Sequence, residues 1–164
     1  VLSGNEPEFK EHHFDEIGAT AQIPASWNIR QDTEQGVVVY HVTREKLSSN
    51  QQGKNTVGFT LTATPDIPSR AGMSPAAYAA DLLSFAVEDG GTVVEEDRPP
   101  FKIFRATYFI DGDAGASEIV DLATANDTTG TLYFVAWQSP QSESDEITGL
   151  REKIFSSFHF DPSR

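Results

Sequence analysis

The sequence predicts an α+β domain: one antiparallel sheet of about six to seven strands with helices packed on it. Three observations carry that expectation. Runs of alternating apolar and polar residues recur from 14 to 64 and again from 92 to 138. Each group is followed by a segment with apolar residues at helical spacing, near 75–89 and 145–158. The connections among the later strands are short and rich in turn residues, and short connections join antiparallel neighbours.

Residues 1–13 are polar and expected to be loose, leaving 14–164 as a single domain. In "FDEIGATAQI", starting at Phe14, the residues Ile17, Ala19, Ala21 and Ile23 alternate with Gly18, Thr20 and Gln22, which reads as one half-buried strand. Pro24 ends it, because proline has no amide proton for a ladder. Trp27 follows and is expected to fold over the sheet edge, mostly buried, at a cost of ~3 kcal/mol or more on truncation to Ala. "GVVVYHVTR", 36–44, is a second strand, with Val37 and Val39 on one side and Val38, Tyr40 and Val42 on the other. The stretch 45–53 offers a short turn of helix, and 48–55 is a polar connection. In "TVGFTLTAT", 56–64, Val57, Phe59, Leu61 and Ala63 alternate with Thr60 and Thr62, threonines suited to a wet sheet face.

Residues 65–75 form a loop into a helix, with Ser74 as N-cap and Pro75 in the first helical position. That helix runs to about Asp89, presents Tyr78, Leu82, Phe85 and Ala86 inward, and stops at Gly90-Gly91. A short strand at 92–97 precedes Pro99-Pro100. Strands at 101–110, 117–125 and 131–138 then follow, joined by "DGDAGA" and "NDTTG". Both faces of 101–110 and of 131–138 carry bulky apolar residues, as central strands covered on both sides do. In the last helix Ile147, Leu150, Ile154 and Phe158 form the inner stripe. Asp145 and Glu146 at its start and Arg151 and Lys153 further on complement the helix dipole. Gly149 inside it costs ~1 kcal/mol relative to Ala.

The 164 residues are enough to bury roughly 70% of the unfolded surface. With no Cys there is no disulfide, no thiolate zinc site and no cysteine nucleophile. Twelve Lys and Arg against 25 Asp and Glu give a net charge of −13. That surface repels nucleic acid and anionic membranes and steers basic partners. No window of about 18 apolar residues could span a membrane.

These elements in this order, over about residues 14–160, resemble the PsbP-like (Mog-one/PsbP-like) family in its bacterial branch. The resemblance rests on "IPASW", on "MSPAAYAADLLSFA", on the strand pair beginning "FKIFRATYFI", and on "SDEITGLREKIFSSFHF". It implies a three-layer α/β/α sandwich and a non-catalytic partner-binding or assembly accessory role, the partner being another protein. No site residue carries over. The alternative is a small-molecule-binding protein or hydrolase using a pocket between sheet and helices, lined by Tyr40, Tyr108, Tyr133 and Trp137. The chain begins "VLSGNEPEF" without Met, and an extracytoplasmic place, secreted or lipid-anchored, is expected over a cytoplasmic one.

Chemistry-bearing residues are sparse. Adjacent His12 and His13 point apart on a strand, so they do not converge on a metal. His41 shares a strand face with Val37 and Val39, and His159 points outward between Phe158 and Phe160. Ser117 follows a glycine loop that reads as a hairpin turn, and no Gly-x-Ser-x-Gly elbow exists. Asp111 and Asp113 open a calcium-like loop, but its sixth and twelfth positions are Ala116 and Leu122 where an EF-hand needs Gly and Glu. With 25 acids, carboxylate pairs are inevitable and carry no signal. No catalytic, cofactor-binding or metal residue is assigned, and no cofactor is expected.

Overall fold

The chain opens with a hairpin where the sequence predicted a loose segment running into a single strand. The computed structural model describes residues 7–46, 56–112 and 115–164. Strand β1, Phe9–Phe14, pairs antiparallel with β2, Ala19–Pro24. The turn between them uses Gly18 at φ 70°, a left-handed conformation that glycine adopts without steric cost. Only Phe14 of β1 is buried. A mostly exposed edge strand spelled FKEHHF has no clean alternation, so it reads as loop.

Strands β3 (Asn28–Glu34), β4 (Val37–Thr43) and β5 (Gly58–Thr64) form an antiparallel meander. β3 was not expected, because its letters, NIRQDTE, are those of a polar edge strand with no buried residue. A five-residue helix, α1 (Ile67–Ala71), lies inside the expected 65–75 loop. Helix α2 (Pro75–Glu88) follows, capped by the Ser74 hydroxyl, which accepts from the Ala77 amide at 3.1 Å. Strands β6 (Thr92–Arg98), β7 (Phe101–Gly112), β8 (Gly115–Asn126) and β9 (Thr131–Pro140) make a second meander. A 3-10 turn at Gln141–Glu143, helix α3 (Ser144–Ser156) and a two-residue strand, β10 (His159–Phe160), complete the chain. Of the expected helical turn at 45–53, residues 47–53 lie outside the described residues, and Glu45 and Lys46 are not helical.

The seven-stranded sheet runs β3-β4-β5-β9-β8-β7-β6, antiparallel throughout. Its two meanders meet along one seam, β5 on β9, from Gly58 opposite Gln138 to Thr64 opposite Leu132. A small sheet, β1-β2-β10, and α3 cover one face; α2 and α1 pack on the other. The result is the expected α/β/α sandwich, with a small sheet added to one outer layer. Among the described residues no helix is long and apolar enough to cross a membrane.

The first core lies between the large sheet and the small sheet with α3. Ile17, Ala19, Ala21 and Ile23 enter it as expected, against Tyr40, Val42, Phe59, Leu61, Val135 and Trp137. Trp137 is fully enclosed: its ring lies 6.4 Å from Phe59, 6.0 Å from Trp27 and 5.9 Å from Phe155, and its Nε1 donates to the Ser139 hydroxyl at 3.2 Å. Trp27 is half-buried at the edge of this cluster. Phe158 lies beyond the end of α3 yet still packs on the core.

The second core corrects the expected face of α2. Ala79, Leu83 and Ala86 point inward, while Leu82 and Phe85 remain 41% and 36% exposed. Two of the three inner helix residues are alanines, and Ala106, Ala123 and Ala125 lie beneath them. Small-on-small packing lets the helix sit close; Leu82 and Phe85 beneath it would hold it away, while Tyr78 packs at the edge of this core. Gly91, just past the helix, confirms the tightness: a Cβ there would meet the Thr107 carbonyl oxygen at 2.3 Å.

Candidate functional site

On the α3 side of the large sheet, α3 and the small sheet leave part of β7 and β8 uncovered, forming a half-open groove of about 620 Å³. Phe101, Ile103 and Arg105 of β7 and Leu122 and Thr124 of β8 supply its floor, because alternation along each strand turns these residues to one face. Glu152, Phe155 and Ser156 of α3 and the Phe158-His159-Phe160 tail form one wall, with Glu96 and Arg98 of β6 on the rim. The phenylalanines are mutually ordered: Phe158 stacks on Phe160 at 5.5 Å and 7°, and Phe101 meets Phe160 edge-on at 6.4 Å.

A chain of alternating charges runs along the α3 wall. Arg105 donates through Nη1 to Glu152 Oε1 at 2.8 Å and through Nη2 to Glu152 Oε2, with its guanidinium 5.3 Å from the Phe155 ring centre. Arg151 donates to Glu152 Oε2 at 3.0 Å and to Glu118 Oε1 at 2.6 Å. The hydrogen bond from Arg105 is the main reason the Glu152 carboxyl sits below the usual range, with Arg151 helping and burial opposing. On the rim Arg98 donates to Glu96 at 2.9 Å. The charged groups of the groove are thus engaged with one another.

A different polar pair lies on the α2 side. Asp121, 5% exposed in the middle of the sheet, accepts from the Tyr108 hydroxyl at 2.8 Å. Burial pushes the Asp121 carboxyl up to about 6, and the bond from Tyr108 only partly offsets this; burial and then Asp121 raise Tyr108 in turn. A folded-state pKa above the unfolded one means the folded state holds the proton more tightly. The contribution to stability is therefore full below about pH 4 and is lost as pH rises through 6. Asp121→Asn keeps the acceptor for Tyr108 and removes the charge. Urea unfolding between pH 4 and 7 should show the variant gaining on the order of 2–3 kcal/mol over wild type at pH 7, with a flatter profile. Equal slopes in the two proteins would refute it.

The four aromatics expected to share a pocket do not. Tyr40, Tyr133 and Trp137 are buried on the α3 side of the sheet, whereas Tyr108 is half-buried on the α2 side. His12 and His13 face opposite ways: His12 meets Phe14 edge-on at 4.6 Å, and burial and then His13 lower its pKa, while His13 sits 3.8 Å from Glu11. His41 is half-buried, 3.4 Å from Asp32. His159 is exposed at the groove wall. Ser117 lies in the β7–β8 hairpin opposite Ile110 on one side and Pro140 on the other. Asp111 is exposed at the end of β7, and Asp113 lies outside the described residues. Among the described residues no three His, Asp or Glu gather closely enough to hold a metal ion.

The groove was not foreseen, although part of its signal was in the sequence. Arg105 alternates with Ile103 on an inward face, and Arg151 sits four residues after Ile147 and three before Ile154 on the inner stripe of α3. A charge at an inward position asks for a partner. Reading Arg151 as a dipole complement concealed that request.

No protein-family model and no curated protein sequence matches the chain. Solved structures do. The solution structure of cyanobacterial PsbP (CyanoP) from Synechocystis sp. PCC 6803 superposes with a TM-score of 0.60 at 11% identity, over 96% of this chain and 95% of that one. The chain has the PsbP-like fold. LpqN, described as involved in cell envelope biogenesis of Mycobacterium tuberculosis, shares this fold with a TM-score of 0.53 at 12% identity, over 98% of this chain and 95% of that one. At such identities the likeness lies in the PsbP-like frame, and the groove's residues stand on their own geometry.

Proposed function

We propose that the chain is a non-catalytic accessory module that binds another protein through the groove between β7 and α3. The observation that carries this reading is the combination of an open, phenylalanine-lined groove with charges that already satisfy one another. Groups tied up as Arg105–Glu152 and Arg98–Glu96 are poorly placed to move protons, but ordered aromatics and a stacked arginine are the residues that anchor protein interfaces. The fitting occupant is an apolar segment flanked by basic residues, steered in by the net charge of −13. The PsbP-like frame shared with LpqN, whose described role is in the cell envelope, supports an extracytoplasmic setting. The groove's volume also falls in the range of small-molecule sites, which is what favours the alternative of a small-molecule binder or hydrolase.

A photo-crosslinking residue placed at Ile103 tests the reading in cells of the source organism, with the exposed position Val87 on α2 as control. The expected result is one discrete protein adduct from Ile103, absent from Val87 and lost when Phe101→Ala and Arg105→Ala are combined. Labelling no different from the control, or an adduct indifferent to those substitutions, would rule the groove out as the docking site.

A further inference from the structure

We infer that a second cavity, at one end of the sandwich, is a binding site for a small carboxylate with a compact apolar body. The cavity holds about 450 Å³ and shares no lining residue with the groove. It opens where the β1–β2 turn, the start of β4, the end of β5 and the start of β9 meet, closed from the side by α1 and the last residue, Arg164. Ile17, Val37, Val38 and Ala63 give it an apolar wall.

Three features make it a site for an anion. Arg70 of α1 lines it, and its guanidinium has no ion-pair or hydrogen-bond partner among the described residues. Arg164 is held over it by the carbonyl oxygens of Glu16 at 3.0 Å and Asp15 at 3.5 Å, with the Asp161 carboxylate 4.0 Å away. Thr131 also lines the cavity: it is only 5% exposed, yet its hydroxyl makes no hydrogen bond among the described residues. The hydroxyl is not among the buried polar atoms left without a partner, so it is open to the cavity and free to donate to an occupant. Counting Glu16, the side chains of the lining carry a net charge of +1, in a chain whose side-chain total is −13. A carboxylate can take two parallel hydrogen bonds from Arg70 and a third from Thr131, while its apolar body covers Ile17 and the valines.

The test is an NMR titration of the amide signals with hexanoate, using 1-hexanol as the uncharged probe. Saturable shifts are expected at Gly36, Val38, Arg70 and Thr131 and not at Ile103 in the groove. Hexanol should bind about tenfold more weakly, Arg70→Gln should weaken hexanoate by about tenfold, and Thr131→Val by severalfold. Arg70 is exposed and Thr131→Val keeps shape, so thermal melts of both variants should match wild type. Non-saturating shifts at millimolar hexanoate, equal binding of hexanol, or Arg70→Gln binding hexanoate as wild type does would each overturn the inference.

Discussion

Trp137→Ala should lower the stability of the protein by about 4 kcal/mol, among the largest single-residue effects in the chain. The ring is completely buried, and it is the point where four elements meet: Phe59 from β5, Phe155 from α3, Trp27 after β2, and β9 itself. Truncation removes the transfer energy of the indole and leaves a cavity walled by rigid strands that cannot collapse into it. It also strands the Ser139 hydroxyl, which is fully buried and accepts from the indole Nε1. Trp27→Ala, at a half-buried position, should cost about 2 kcal/mol, below what the sequence led us to expect. Urea unfolding followed by far-UV circular dichroism separates the two. Equal costs, or a cost under 2 kcal/mol for Trp137, would contradict this account.

The second large effect is electrostatic. Arg151→Ala should destabilise by about 3–5 kcal/mol, because it leaves Glu118 charged and without its cation in a site where little water reaches. The two side chains are 9% and 14% exposed and 2.6 Å apart. Replacing both, as Glu118→Leu with Arg151→Met, should return stability to within about 1 kcal/mol of wild type, since the pair's attraction and its desolvation nearly cancel. Glu152 keeps Arg105 in either variant. A double variant as unstable as the sum of the single ones would show that the two residues act independently.

The sequence disclosed those parts of the fold in which side-chain alternation coincides with burial. β2, β5 and β9 were legible because Ile17 to Ile23, Phe59 to Ala63, and Val135 with Trp137 all enter one core. β1 and β3 were not, because an edge strand with a wet outer side has no reason to alternate. The helix at 75–88 was legible in extent through its cap and its glycines, but its inner face was misjudged. Ranking residues by bulk favours Leu82 and Phe85, and close packing selected Ala79 and Leu83 beside Ala86, which was expected to face inward. The groove escaped for a further reason: it is defined by what α3 fails to cover, and that depends on where a helix that starts at Ser144 lands on strands that end at Gly112 and Asn126.

The single β5–β9 seam has a consequence for how the chain is made. Residues 65–130 lie between the two strands that form it. On the ribosome the first meander can assemble from local hairpins while β9 does not yet exist, so β5 waits with one edge bare through the synthesis of everything up to the second meander's last strand. That edge belongs to GFTLTAT, a segment of high strand propensity and no charge. Until the seam closes, the nascent protein presents its most adhesive surface, which the finished sheet hides at its centre.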